Sequence, residues 1–428
     1  MTDLIIIGAG PGGYETAVAA AQRGMTVTII NDGPLGGVCL NEGCIPTKAF
    51  CHHAGVTPFE QAAERKAAVV EQLRGGVAHL LKNERITLVE GRAAFKDAAT
   101  VVVGDEEYTA RDIIIATGSR AVRLPIPGAD LPVVLDSTDV LDLKELPATM
   151  CVIGGGVIGL EMASYLHRFG CRVSVLEYAP QVLPAFDAEV SKRLKMMLSR
   201  QGIKIETDAQ VTAIAQDGTV TYANKKGKTM EVTADKVLMA VGRAPRTDGL
   251  NLEAAGIEYG RKGIVADDNM ATTAPHVYAI GDVNGKMMLA HVASFQGVRV
   301  LNHIQGKDDH IRFDLVPAAV FTVPEVATVG MTEAQCESQG MDYSVFKSLY
   351  GANGKAVAME ATDGFCKLLV DNATHRMLGC HIIGAHSSDI IHEVTALINL
   401  GATIEQARDI IHAHPTLSEI FQLALHAK

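Results

Sequence analysis

The feature that most restricts how this chain can fold is a single pattern written twice, in ungapped register, 146 residues apart. An apolar run, Leu4-Ile5-Ile6-Ile7, leads into Gly8-Ala9-Gly10-Pro11-Gly12-Gly13, then into the helix-forming YETAVAAAQRG and the strand-like MTVTII. The segment CVIGGGVIGLEMASYLHRFGCRVSVLE over 151–177 repeats that order. Gly8, Gly10 and Gly13 align with Gly154, Gly156 and Gly159, Glu15 with Glu161, and Gly24 with Gly170. In a strand–turn–helix unit the first glycine makes the tight turn, the second lets backbone approach a pyrophosphate, and the third lets helix and strand touch. The helix amino terminus then faces the phosphates. The pattern predicts an α/β chain with two Rossmann-like dinucleotide-binding domains.

The two copies differ where a ribose would bind. The second strand of the later copy ends in Glu177, a carboxylate that can accept from both ribose hydroxyls and repels a 2′-phosphate, which favours NAD over NADP. The equivalent position in the first copy is Asn31, followed by Asp32, so the first site is expected to hold its ribose through a different and weaker contact. Two dinucleotides on one chain point to an electron relay between a diffusible nicotinamide and a resident flavin.

A chain of 428 residues is long enough for two to four domains. Its net charge of −11 and lack of a long basic block argue against nucleic acid or an anionic membrane as partner. The amino terminus lacks the pattern of a signal peptide, and Tyr14 and Glu15 interrupt the longest apolar stretch near it. A soluble, cytoplasmic protein is expected, in which the 8 cysteines are not a structural disulfide framework.

Two of them stand out. Gly36-Gly37-Val38-Cys39-Leu40-Asn41-Glu42-Gly43-Cys44-Ile45-Pro46-Thr47-Lys48 places four residues between Cys39 and Cys44, which is not zinc-type spacing, and no metal site is expected. A helix amino terminus here would favour a thiolate, and Lys48 falls four residues after Cys44 on the same helical face.

The run GGVCLNEGCIPTK resembles the redox-disulfide segment of the pyridine nucleotide–disulfide oxidoreductases. IIIATGSRAVRLPIPG, LMAVGRAPRT and TTAPHVYAIGDV resemble that family's further motifs, in the family's order. The resemblance implies FAD at the first glycine turn and NAD at the second, with Gly118, Gly242 and Asp282 among the residues that line them. It implies that Cys39 attacks the substrate disulfide, that Cys44 lies against the flavin, and that Lys48 pairs with Glu161 near the flavin ring. It places the FAD domain at residues 1–145 and 266–308, the NAD domain at 146–265 and a C-terminal α+β dimerisation domain at 309–428.

Within that last region FCKLLVDNATHRMLGCHIIGA reads as two strands joined at DNAT, followed by helical patterns in VTALINLG and IEQARDIIHA. His412-Ala413-His414-Pro415-Thr416-Leu417-Ser418-Glu419 then offers an imidazole before a helix and a carboxylate in its first turn, with Thr416 and Glu419 spaced as a capping box. The segment is similar to the signature of the dihydrolipoamide dehydrogenases, a branch of the same family. That similarity implies His414 as acid/base, Glu419 as its partner and a homodimer in which the base comes from the other subunit. It also implies a lipoylated carrier of a 2-oxoacid dehydrogenase or glycine cleavage complex as the partner. Glutathione-like disulfides are a second choice, since reductases for them prefer NADPH. A non-catalytic scaffold subunit is the alternative of another class, and joint presence of Cys39, Cys44 and His414 argues against it. The stretch from Lys48 to Val77 is expected to be about twenty residues shorter than the family's.

Overall fold

The computed structural model describes residues 2–427. The first apolar run becomes β1 (Thr2–Ile7), paired in parallel with β2 (Val27–Asn31) and with the strand Glu106–Ile115, so that Ile5 faces Thr28 on one side and Ile113 on the other. Residues 4–7 are buried, as a parallel strand covered on both faces requires. The strand Ile86–Glu90 extends this sheet beyond β2. Thr100–Val103 and Ala93–Asp97 extend it antiparallel at the far side, and Val277–Ala279 arrives from far downstream to pair with Glu106–Ile115. The helix Ala290–Ile304 returns with that strand and packs on α1 (Pro11–Gln22), close enough that a Cβ on Gly297 would stand 1.8 Å from Thr16 Oγ1.

The third glycine of each fingerprint explains the closeness of helix and strand. A Cβ on Gly13 would stand 1.9 Å from the Gly8 carbonyl oxygen, and one on Gly159 2.0 Å from that of Gly154. Only glycine permits either contact.

The second sheet is all parallel, in the order Lys204–Glu206, Arg172–Leu176, Thr149–Ile153, Lys236–Met239, Val134–Leu135. Its last strand lies upstream of residue 145, where the first domain was expected to end. The second unit therefore recruits residues from before that boundary, because the apolar pair Val134–Leu135 covers the edge that Lys236–Met239 leaves open. An antiparallel meander, Gln210–Ile214, Thr219–Ala223 and Thr229–Thr233, accompanies it.

The third unit is a five-stranded antiparallel sheet. Its centre is the hairpin Phe365–Asp371 and Met377–Gly384, turning at the expected DNAT. The helices Ser387–Asn399 and Glu419–His426 pack on it. The helix expected in IEQARDIIHA is shorter, Ile404–Arg408, capped by Thr403 and Gln406.

A buried charge cluster ties the second unit to the third. Lys367, 0% exposed on the strand Phe365–Asp371, holds its Nζ 2.6 Å from Asp187 and 2.6 Å from Glu333, with Glu189 at 3.4 Å. Asp187 caps the helix Ala188–Gln201 of the second unit. Among the described residues these carboxylates are the one acidic group close enough to share a cation, and the lysine ammonium stands between them. Burial pushes the Lys367 pKa down, but hydrogen bonds to Asp187 and Glu333 outweigh it and hold the value above that of an ordinary lysine. Removing one partner of a buried pair strands the other charge, which costs about 3–5 kcal/mol. Lys367→Met is therefore expected to lose about that much stability, read as a lower urea midpoint with an unchanged slope. A loss under about 1 kcal/mol would mean that solvent reaches Asp187.

Candidate active site

Directly after β2 the chain folds into three helices beside the first glycine turn. Gly36 and Gly37 both have positive φ and open α2 (Gly37–Glu42), a Cβ on Gly37 would stand 2.7 Å from Gly10 Cα, and Gly36 N–H donates to Ala9 O at 2.8 Å. Gly43 breaks the helix, and α3 (Cys44–His53) begins at Cys44 itself; α4 (Phe59–Leu80) follows. Cys39 thus sits on a short helix pressed against the fingerprint, and Cys44 at the positive end of the next one.

Both cysteines are partly buried. They titrate as a pair. The hydrogen bond from Cys39 holds the Cys44 pKa below the ordinary thiol value; burial opposes this and the Lys48 ammonium reinforces it. The same hydrogen bond, burial and the negative charge of Cys44 push Cys39 up. Cys44 is the more acidic thiol of the two.

Lys48 is four residues along α3, with Nζ 2.9 Å from Glu161 Oε2. Glu161 is buried in the second fingerprint helix, Val157–Phe169, and its other oxygen accepts from Phe321 N–H at 2.9 Å. The Phe321 ring lies under Lys48 Nζ, 4.4 Å from its centroid, an attractive cation–π placement. Phe321 carries no sequence signal for this role: it lies in a short segment between strands, and its partners are remote in the chain.

One continuous cleft of about 2240 Å³ takes in Cys39, Cys44, Lys48, Glu161, Asn31, Glu177, Asp282, Gly118 and Gly242. It also takes in Gly8 and Gly10 of the first turn and Gly154 and Gly156 of the second. Gly13 and Gly159, by contrast, do not line it, and their part is helix–strand packing. A Cβ on Gly156 would meet nothing within 4 Å, the open approach that a pyrophosphate needs. Asp282 accepts from Ser119 Oγ at 2.5 Å, and Arg243 Nε donates to the same hydroxyl at 2.7 Å, so a charged chain runs along the floor.

The ribose ends keep one shared bond and differ in charge. Glu177 Oε2 accepts from Gly155 N–H at 2.5 Å and Oε1 from Ala179 N–H at 2.6 Å. At the corresponding positions Asn31 Oδ1 accepts from Ala9 N–H at 3.0 Å, and its amide donates to Gly33 O. The neighbouring carboxylate, Asp32, is paired with Arg246 at 2.6 Å.

His414 and Glu419 lie outside this cleft. His414 Nδ1 is 2.8 Å from Glu419 Oε1 and the imidazole is 77% exposed. The expected capping box is only half present: Glu419 Oε2 accepts from Thr416 N–H at 2.7 Å, but the Thr416 hydroxyl donates to Ala413 O, and the helix starts at Glu419 instead of just after Thr416. His412 is buried against Glu393, 2.7 Å away. Of the other cysteines, Cys366 and Cys380 approach to 3.7 Å inside the third sheet.

Two dinucleotide turns opening on one cleft, with a polarised dithiol between them, define an oxidoreductase that passes electrons between a disulfide and a nicotinamide. The chain belongs to the pyridine nucleotide-disulphide oxidoreductases: that family's model matches residues 2–297 and its dimerisation domain matches 316–425. It is similar to the dihydrolipoyl dehydrogenase of Bacillus subtilis (strain 168), 42% identical over 98% of this chain and 94% of the relative, and to that of Geobacillus stearothermophilus, 41% identical over the same shares. Those alignments span 445 residues against a chain of 428, so the relatives carry segments that this chain lacks. Among solved structures it is similar to the HOCl-induced flavoprotein disulfide reductase RclA from Escherichia coli, at a TM-score of 0.92 and 34% identity over 99% of both chains. Members of the family use FAD and NAD(H), and so does this enzyme.

The Lys48 charge sits between Cys44 and Glu161, which raises the Cys44 pKa. In Lys48→Met the thiolate loses its cation and keeps the repelling carboxylate. The long-wavelength thiolate absorbance of the reduced holoenzyme should then appear only at higher pH, by one unit or so, since a unit is about 1.4 kcal/mol of such interaction. An unmoved pH midpoint would show that Lys48 does not act on Cys44.

Proposed function

We propose that this enzyme oxidises a protein-bound dihydrolipoyl group to its cyclic disulfide and reduces NAD+ to NADH. The observation that carries this reading is the His414–Glu419 pair standing exposed on the third unit, outside the cleft that holds its dithiol. A base so placed is useful to a dithiol on another copy of the chain. Nearby apolar side chains are left uncovered, Ile411 at 95% exposure and Leu400 at 80%, which suits a face that meets a second copy. The substrate arm would be presented by a lipoylated carrier of a 2-oxoacid dehydrogenase or glycine cleavage complex.

The cycle starts with the Cys39–Cys44 disulfide. One substrate thiolate attacks Cys39 Sγ, the Cys39–Cys44 bond breaks, and Cys44 leaves as a thiolate that Lys48 and the α3 amino terminus stabilise. His414 of the partner subunit removes the proton from the second substrate thiol, whose unperturbed pKa is about 8.5, while Glu419 holds the ring. That thiolate attacks the substrate sulfur of the mixed disulfide, closes the lipoyl ring and releases Cys39. Two electrons now rest on the dithiol. The Gly8–Gly13 turn would hold FAD and the Gly154–Gly159 turn NAD+, and the flavin would supply the two-electron passage from the dithiol to the nicotinamide. Glu177 would face a 2′-phosphate there and so favours NAD over NADP.

His414→Ala should cut dihydrolipoamide oxidation by roughly two to four orders of magnitude. Electron transfer from NADH to a dye, which needs no thiol deprotonation, should stay nearly intact. If both activities fall together, His414 serves packing and the catalytic role is wrong.

A further inference from the structure

α2 has six residues, begins with two left-handed glycines and has no side-chain cap, so it cannot hold its own conformation. What holds it is Asn41, midway between the two cysteines. Its Nδ2 donates to Leu35 O at 2.9 Å and to Gly37 O at 2.8 Å, across the turn that enters the helix. Its Oδ1 accepts from Arg74 Nε at 3.1 Å and Nη2 at 2.8 Å. The amide is then fully used, two donors and two acceptor sites. Arg74 is held in turn by Glu71, one turn earlier on α4, 3.0 Å from Nη1. Because α4 runs for 22 residues, the clamp is anchored on the longest helix of the chain. The same face of α4 contributes Leu73, Val77 and Leu80 to a second cavity that opens on Cys39.

We propose that Arg74 is a positioning residue for the redox pair: its guanidinium fork, through the Asn41 amide, fixes the rotation of α2 and so holds Cys39 at the geometry in which it closes onto Cys44. Arg74 does not touch the reacting sulfurs. It acts on the cost of assembling them, since a disulfide between two helices forms readily only if both are already placed. A planar fork with two parallel N–H donors restrains the rotation of a planar amide, which a single ammonium does not. The bond that forms and breaks is Cys39–Cys44, exchanging two electrons and two protons with an external dithiol.

This inference concerns the Cys39–Cys44 couple alone and does not depend on which substrate the enzyme serves, so the first measurement uses glutathione. The holoenzyme, Arg74→Met and Arg74→Lys are equilibrated in glutathione redox buffers, and the fraction of Cys39–Cys44 disulfide is read by mass after thiol alkylation. Arg74→Met should move the equilibrium about tenfold toward the dithiol, equivalent to about 30 mV for two electrons. Arg74→Lys, which keeps the charge and one donor, should fall between. In turnover with free dihydrolipoamide, Arg74→Met should lower kcat several-fold with little change in KM, and NADH-to-dye transfer should be unchanged. An unmoved glutathione equilibrium in both variants would overturn the proposal. So would a rise in KM alone, which would make Arg74 a substrate contact, or an Arg74→Lys enzyme as shifted as Arg74→Met, which would leave the fork without a role. A failure of dihydrolipoamide turnover in the unmodified enzyme would count against the function proposed above and leave the glutathione result standing.

Discussion

Everything in the active centre is referred to one ion pair. Lys48 belongs to the helix that starts at Cys44, Glu161 to the second fingerprint, and the backbone N–H of Phe321 that binds Glu161 belongs to the third unit. Three units therefore meet on a single carboxylate. At 2.9 Å in a half-buried setting, the attraction between these charges is far less screened than on the surface. Its value is as much in direction as in strength: it fixes an ammonium beside the dithiol, where the positive charge favours ionisation of both thiols. The asymmetry that chemistry needs between two otherwise equivalent cysteines arises first from the hydrogen bond that Cys39 gives to Cys44, and the Lys48 charge reinforces it.

Much of this was legible before any coordinates. Glycine spacing, apolar runs and the cysteine interval are local signals, and local signals carry strand, turn and helix identity well. The duplicated fingerprints and the hairpin at DNAT stand where the sequence places them, whereas the approach of Lys48 to Glu161, 113 residues away, follows only from the family resemblance. What the sequence does not carry are side chains whose partners are remote. Arg74 and Asn41 are 33 residues apart, and Lys367 and Asp187 are 180 apart, with nothing in either neighbourhood to announce the other. The partial capping at Thr416 shows a subtler limit. The spacing to Glu419 is right, yet the Thr416 hydroxyl is drawn to Ala413 O, so one of the two bonds goes elsewhere. Likewise Val134–Leu135 is too short a run to declare which sheet it will join.

On the proposed function, the location of His414 divides the reaction between surfaces. In the proposed cycle the cleft would supply the sulfur that is attacked and the thiolate that leaves, whereas proton removal would fall to a separate unit, beside exposed Ile411.

The contact between Gly37 and Gly10 bears on how freely this molecule could be altered. A Cβ at residue 37 would stand 2.7 Å from backbone of the phosphate-binding turn. The redox helix and the cofactor turn are consequently two sides of one joint and not separate modules. Transplanting the cysteine segment onto another nucleotide-binding scaffold would require the receiving turn to offer the same bare backbone. A graft that kept the thiols but lacked that flat seat would set them at the wrong height above the flavin, however faithfully the cysteine spacing were copied.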